Sequence, residues 1–213
     1  MKRALRKHRR FLWLAGGIIL VLVIAALIWQ FQTQNTKPSS TSDIVTVSAE
    51  PSTVPIGPDF TWDGAPNEPK KLFIPRLGIE GFIQKVGVDQ NGEVAVPTNI
   101  ALAGWFVDSV RPGEKGLSVI DGHISTGSEK AIFQRLSEVK TGDVFSIEFG
   151  DGLKKDFVVF GVKDVTREDA PAVLFSQDPT VARQLNLITC GGDYDDSEST
   201  FTRRVIVQAK PVS

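Results

Sequence analysis

The sequence predicts an all-β domain over residues 70–213, an eight-stranded barrel or sandwich with short helices. Three observations predict it. Eight short apolar or alternating runs recur along this stretch, at 72–74, 82–88, 94–96, 117–120, 144–149, 157–165, 185–189 and 205–209. Gly, Pro, Asn and Asp separate them, which is the punctuation of strands joined by turns. Helical spacing is confined to two brief segments.

Taken in order, the runs at 82–88 and 94–96 flank Gln90-Asn91-Gly92-Glu93, and those at 144–149 and 157–165 flank Gly150-Asp151-Gly152. Both are hairpin-turn sequences. Between them, Ser128 stands before Glu129 and Lys130, and Ala131, Ile132, Phe133, Leu136 and Val139 follow at helical spacing. A cap residue ahead of an apolar stripe predicts a short helix. Asp178-Pro179-Thr180-Val181-Ala182-Arg183 predicts a second helical turn, with proline early, where its missing N–H costs nothing.

Residues 11–29 run without a charge from Phe11 to Trp29. As a helix they would span roughly 28 Å, about one bilayer core. Lys2, Arg3, Arg6, Lys7, Arg9 and Arg10 precede them with no acidic residue, so the bias of basic residues keeps 1–10 cytoplasmic and exports the chain beyond residue 29. A cleaved signal peptide shares this outline, but the apolar stretch is long and Trp29-Gln30-Phe31 stands where small residues would be cut. The reading is a single-pass anchor at 11–29. Residues 30–69 are rich in Thr, Ser, Asn and Pro and predict a linker, with Ile44-Val45-Thr46-Val47 as an isolated short strand at most.

The whole chain carries 24 Lys+Arg against 25 Asp+Glu. Setting aside the six basic residues before the anchor leaves 18 against 25, a net of −7 for the exported part. Nucleic-acid binding is therefore not expected, and the basic block reads as a topology signal.

Cys190 is the only cysteine. It cannot form an intramolecular disulfide, and by itself it is an intermolecular link, a small buried hydrophobe or a reactive thiol. It ends an apolar run in Leu187-Ile188-Thr189-Cys190-Gly191-Gly192. His123 ends another, in Val119-Ile120-Asp121-Gly122-His123, and the remaining histidine, His8, lies before the anchor. Arg203 and Arg204 open the last run. A thiolate nucleophile, an imidazolium that donates a proton to a leaving amine, and a cation beside a developing oxyanion are what peptide-bond exchange through a thioester requires.

These strings, with Ile74-Pro75-Arg76-Leu77-Gly78-Ile79, Gly104-Trp105, Pro112-Gly113-Glu114-Lys115-Gly116 and Gly142-Asp143, resemble in order and spacing the sortases, membrane-anchored cysteine transpeptidases of Gram-positive-type surfaces. Cys190-Gly191-Gly192 and a single domain after one anchor look most like the class E and F housekeeping groups. No second apolar segment follows the last run, unlike the pilus-polymerising class. The resemblance implies an eight-stranded β-barrel, and Cys190, His123 and an arginine as catalytic residues. Alternation along the last strand puts Arg203, Val205, Val207 and Ala209 on one face and Arg204, Ile206 and Gln208 on the other. The first face is apolar and turns inward, and the resemblance implies an active site in a groove on the barrel's outer surface, so Arg204 is the expected oxyanion group and Arg203 the second choice.

The implied activity is cleavage of a Leu-Pro-x-Thr-Gly-like sorting signal through a Cys190 thioester, with transfer to a cell-wall amine. Surface proteins bearing that signal and a peptidoglycan precursor are the implied partners of a membrane-anchored monomer. No cofactor or metal is expected. Some sortases bind calcium with loop carboxylates, but Asp193, Asp195, Asp196 and Glu198 read better as a solvated loop. An L,D-transpeptidase is also exported, β-rich and cysteine-dependent, but its histidine stands just before the cysteine, where Ile188-Thr189 is found here. A tethered, non-catalytic β-module would suit the anchor and fold and leave the His, Cys and Arg unexplained.

Overall fold

A computed structural model describes residues 44–46, 51–57, 60–126 and 129–212. The expected cytoplasmic segment (1–10), the expected anchor (11–29) and the first part of the expected linker lie outside the described residues. Among the described residues no helix is long and apolar enough to cross a membrane.

The elements run β1 (Pro69–Ile74), β2 (Ile79–Val86), β3 (Ala103–Phe106), β4 (Gly116–Gly122), β5 (Ser125–Thr126), β6 (Glu129–Lys130), β7 (Val144–Phe149), β8 (Lys154–Thr166), α1 (Ala170–Leu174), β9 (Arg183–Asp195) and β10 (Thr200–Pro211). Among them, eight strands close into a barrel in the order β1-β2-β3-β4-β9-β10-β8-β7, and β7 pairs back onto β1. The β2/β3 and β4/β9 pairs are parallel and the others antiparallel. Closure leaves the barrel itself without an edge strand, and β5 and β6 pair as a separate two-stranded sheet.

Alternation sorts the side chains. Leu72, Ile74, Ile83, Trp105, Ile120, Phe145, Phe157, Leu187 and Val207 fill the interior, with Phe133 and Leu136 packed among them. A second apolar cluster lies on the outer face, where Val86, Phe106, Val119 and Ile206 meet Ala170 and Leu174 of α1. The barrel thus has one outer face that is dry enough to carry a site.

The structure departs from the sequence reading in several places. The run at 94–96 is no barrel strand: it folds back so that Val94 makes a lone bridge to Val88. The turn before it is tight, since Asp89 Oδ1 accepts from the backbone N–H groups of Asn91 and Glu93. In its place β3 enters the barrel, four residues buried on both faces and so lacking the alternation that marks a half-exposed strand. The helix expected at 128–139 is β6 followed by turns and one 3₁₀ turn, Leu136–Glu138. Its N–H groups are taken elsewhere: Ile132 donates to Ile100 O and Phe133 to His123 O. The stripe buries apolar side chains without needing an α-helix. The 178–183 segment is a turn in which the Asp178 carboxylate accepts from Thr180, and the short helix is α1 instead. There Pro171 starts the turn, and Ala170 and Leu174, one turn apart, are buried.

The linker also behaves differently from its composition. Val45 bridges to Val86 and Ser52 to Asn99, both parallel. Phe60 packs on Phe82 with ring centroids 4.8 Å apart, and Trp62 Nε1 donates to Ile83 O at 3.2 Å. Contacts with the barrel therefore begin well before residue 69. A few aromatic and β-branched residues spread through a Pro- and Ser-rich stretch suffice to dock it. Trp62→Ala should lower the unfolding free energy by about 2 kcal/mol, the scale of a partly buried aromatic and its hydrogen bond. Urea denaturation checks this, and a chain beginning at residue 69 should unfold at lower urea than one beginning at residue 40.

Candidate active site

The site is built where β9 lies between β4 and β10. In the parallel β4/β9 pair, Ile120 stands beside Leu187 and Asp121 beside Ile188. Ile120 and Leu187 point into the barrel, so Asp121 and Ile188 face outward. Cys190, two residues beyond Ile188, shares that outer face. On the other side of β9, Arg204 is directly opposite Cys190 in the antiparallel register. The register shift in this pair falls between Phe201 and Arg203, before both arginines, and alternation is intact from there on.

His123 comes directly after the last residue of β4. Thr189 Oγ1 donates to Gly122 O at 2.7 Å. This bond joins the residue before the cysteine to the residue before the histidine, so it fixes the two strand ends against each other. It is a structural role for Thr189. His123 Nε2 donates to Pro97 O at 2.9 Å; a carbonyl only accepts, so this nitrogen carries a proton.

Asp121, His123, Cys190 and Arg204 line one open cleft of about 180 Å³, with apolar walls from Val94, Val96, Leu174 and Ile188. The structure thus brings together Cys190, His123 and Arg204. Arg203 is elsewhere: its Nε donates to Asp164 Oδ1 at 2.7 Å and its Nη2 to Asp164 O at 2.8 Å, on the side of β8. Arg204 is half-buried and held by its own strand, with Nη1 donating to Phe201 O and Arg203 O and Nη2 to Thr200 Oγ1.

Burial is the largest influence on the Cys190 thiol and pushes it above its ordinary value. The Arg204 charge pulls it down, and Asp121 pushes it up. In the free protein the thiol form therefore predominates at neutral pH. Asp121 is itself buried, and burial lifts its carboxyl well above the ordinary range.

Two residues after Cys190, inside β9 where its register with β10 shifts, Gly192 has φ +74, and a Cβ there would press on Thr202 Oγ1 at 2.6 Å and on the Arg203 side chain. Glycine is required there on both counts. In the acidic loop, Asp195 accepts from the Ser197 N–H at 2.9 Å. Among the described residues no group of three His, Cys, Asp or Glu side chains is arranged to hold a metal ion. Trp105 packs in the core and its Nε1 donates to Val110 O.

Two participants escape sequence reasoning. Pro97 contributes a backbone carbonyl, which no residue type announces. Leu174 closes the cleft from α1, whose single turn is too short to show a period.

The Sortase domain family matches residues 72–212 of the chain. Sortase A from Corynebacterium diphtheriae, in a lid-mutant structure, is similar with 25% identity and a TM-score of 0.52, over 68% of this chain and 70% of that one. Sortase C-1 from Actinomyces oris shares 21% identity with a TM-score of 0.52, over 68% and 71%. A pilus-related sortase C of Group B Streptococcus shares 20% identity with a TM-score of 0.51, over 70% of each chain. No curated protein sequence matches the chain. The family match spans the barrel from β1 to the end of β10, and on it the chain belongs to the sortase family.

Proposed function

We propose that this protein is a cysteine transpeptidase that cuts a Leu-Pro-x-Thr-Gly-like sorting signal between Thr and Gly and passes the acyl group to an amine of the cell wall. The observation that carries the reading is the cross-strand pairing of Arg204 with Cys190 in a cleft that His123 also lines. Family membership supports the reaction class.

In this reading the Cys190 thiol gives its proton to His123, and the thiolate attacks the Thr carbonyl carbon. The carbonyl electron pair moves to oxygen, and Arg204 stabilises the resulting oxyanion. Collapse breaks the C–N bond, the glycine amine leaves with a proton from His123, and a thioester remains on Cys190. The acceptor amine adds to that thioester, His123 takes its proton, and the sulfur departs as thiolate. Because burial disfavours a free thiolate, the nearby cations are what make its formation feasible.

Surface proteins with a C-terminal sorting signal and a peptidoglycan precursor amine are the proposed partners. Residues 11–29 are the proposed membrane anchor, and Cys190-Gly191-Gly192 supports the class E/F grouping. The L,D-transpeptidase and non-catalytic readings have no observation in their favour.

Incubated with a Leu-Pro-x-Thr-Gly peptide library, the protein should form a thioester on Cys190 visible by mass spectrometry. Cys190→Ala should abolish both the adduct and cleavage with the fold intact. No adduct and no cleavage across the library would overturn the substrate assignment. In the same assay Arg204→Ala should lose about 3 kcal/mol of transition-state stabilisation, roughly 10²- to 10³-fold in kcat. Arg203→Ala should stay near the parent rate, since its guanidinium is engaged by Asp164. The reverse ranking would exclude Arg204 from the oxyanion role.

A further inference from the structure

Of the charged and titratable groups lining the cleft, the transpeptidation scheme leaves Glu93 and Asp121 unused, and Asp121 is the buried one. It is 8% exposed, and among the described residues its Oδ1 has no hydrogen-bond partner. Its carboxyl occupies a fitted niche. Gly104 lies beside it in the β3/β4 register, and a Cβ on Gly104 would collide with Asp121 Oδ1 while pressing on Val86 Cγ1 at 2.9 Å and Pro97 Cγ at 3.1 Å. The missing side chain of Gly104 is the space the carboxyl uses.

The niche around Oδ1 is apolar, and ionisation would leave that oxygen buried with no hydrogen-bond partner among the described residues. Asp121 also shares the outer face with Ile188 beside it and Cys190 two residues on. The charged and titratable groups around the cleft are Cys190 on β9, Arg204 on β10, His123 after β4 and Glu93 in the 87–97 loop. From β2, β3 and α1 the neighbours are Val86, Gly104 and Leu174, none of which titrates.

We propose that Asp121 is a second proton-bearing group of the cleft, a positioning residue that stays a neutral carboxylic acid while Cys190 reacts and that, on losing its proton, holds Cys190 in the thiol form. The step is a simple ionisation: the carboxyl O–H breaks, the proton goes to solvent, and the anion opposes formation of a second anion at Cys190 Sγ. The new carboxylate also competes with the thiolate for the charges of Arg204 and His123. Burial, which raises the Asp121 carboxyl, and Asp121 itself, which raises the thiol, act in the directions this requires. The proposal rests on reading Cys190 as the nucleophile.

Because Cys190 is the only cysteine, alkylation of the full chain by iodoacetamide reports on it alone. Wild type and Asp121→Asn should alkylate equally on the acid side of neutrality. As pH rises the Asn variant should pull ahead, by about tenfold for one unit of thiol pKa. A rate ratio constant across the pH range, whether unity or larger, would overturn the proposal, and a merely structural role would give that constancy. Gly104→Ala should expel the carboxyl from its niche and move the divergence to lower pH, and adding Asp121→Asn should abolish that shift.

Stability supplies an independent reading. A carboxyl raised on folding contributes stability that is full below its unfolded pKa and is lost as pH rises through the folded one. Asp121→Asn, or Asp121→Ser if the amide does not fold, should therefore gain on wild type as pH rises. Parallel stability profiles would count against a buried titrating acid. Neither measurement uses a peptide, so both hold or fail independently of whether a sorting signal is cleaved.

Discussion

The site depends on the position of β9 between two partners that run in opposite senses. Its parallel pairing with β4 brings two strand ends to one side of the barrel, and its antiparallel pairing with β10 brings a strand start to the same side. A parallel neighbour cannot be reached by a tight turn, so the chain between β4 and β9 makes a long excursion. That excursion supplies α1, which roofs the outer face. Histidine, cysteine and arginine thus meet because of strand direction, and the Thr189 hydroxyl on Gly122 O fixes the meeting point.

The dry outer face lowers thiol reactivity and raises electrostatic strength. Leu174, Ile188, Val94 and Val96 lower the local dielectric, which raises the Cys190 thiol and at the same time strengthens the pull of Arg204 on any anion formed there. Arg204 is fixed by three acceptors on its own strand and is therefore pre-organised. Those bonds draw on both terminal nitrogens of the guanidinium fork, so a lysine could not reproduce them. Asp121 is the countervailing group, and its niche against Gly104 decides in which form it meets the cations.

Seven of the barrel strands were legible because their interior residues alternate with exposed ones or run as apolar blocks between turns. The face of Arg204 was legible for the same reason: Val207 and Ala209 fill the core, so the alternate residues face out. What escaped the sequence has specific causes. Strand β3 is buried on both faces and only four residues long, and it carries a glycine and a tryptophan that signal no period. The 129–139 segment keeps helical spacing while its N–H groups bond to Ile100 and His123. The cleft itself needs Pro97 and Leu174, whose contributions are a carbonyl and a position. Asp121 was visible as a residue, but its burial comes from Gly104 across the β3/β4 register.

The segment before the barrel bears on the same geometry. Val45 donates its N–H to Lys85 O and accepts a bond from Gly87, and Ser52 exchanges backbone bonds with Thr98 and Ile100. Asn99 Nδ2 adds a bond to Val54 O at 2.8 Å. These bonds bracket the 87–100 loop at both ends. That loop carries Val94 and Val96 of the cleft wall and the Pro97 carbonyl that accepts the hydrogen bond from His123. The loop is held from two sides: Gln84 Oε1 of β2 accepts from the Thr98 N–H and hydroxyl, and the docked segment clamps its ends. A stretch whose composition reads as a spacer is thereby part of what orients the histidine, and the barrel alone does not complete the cleft.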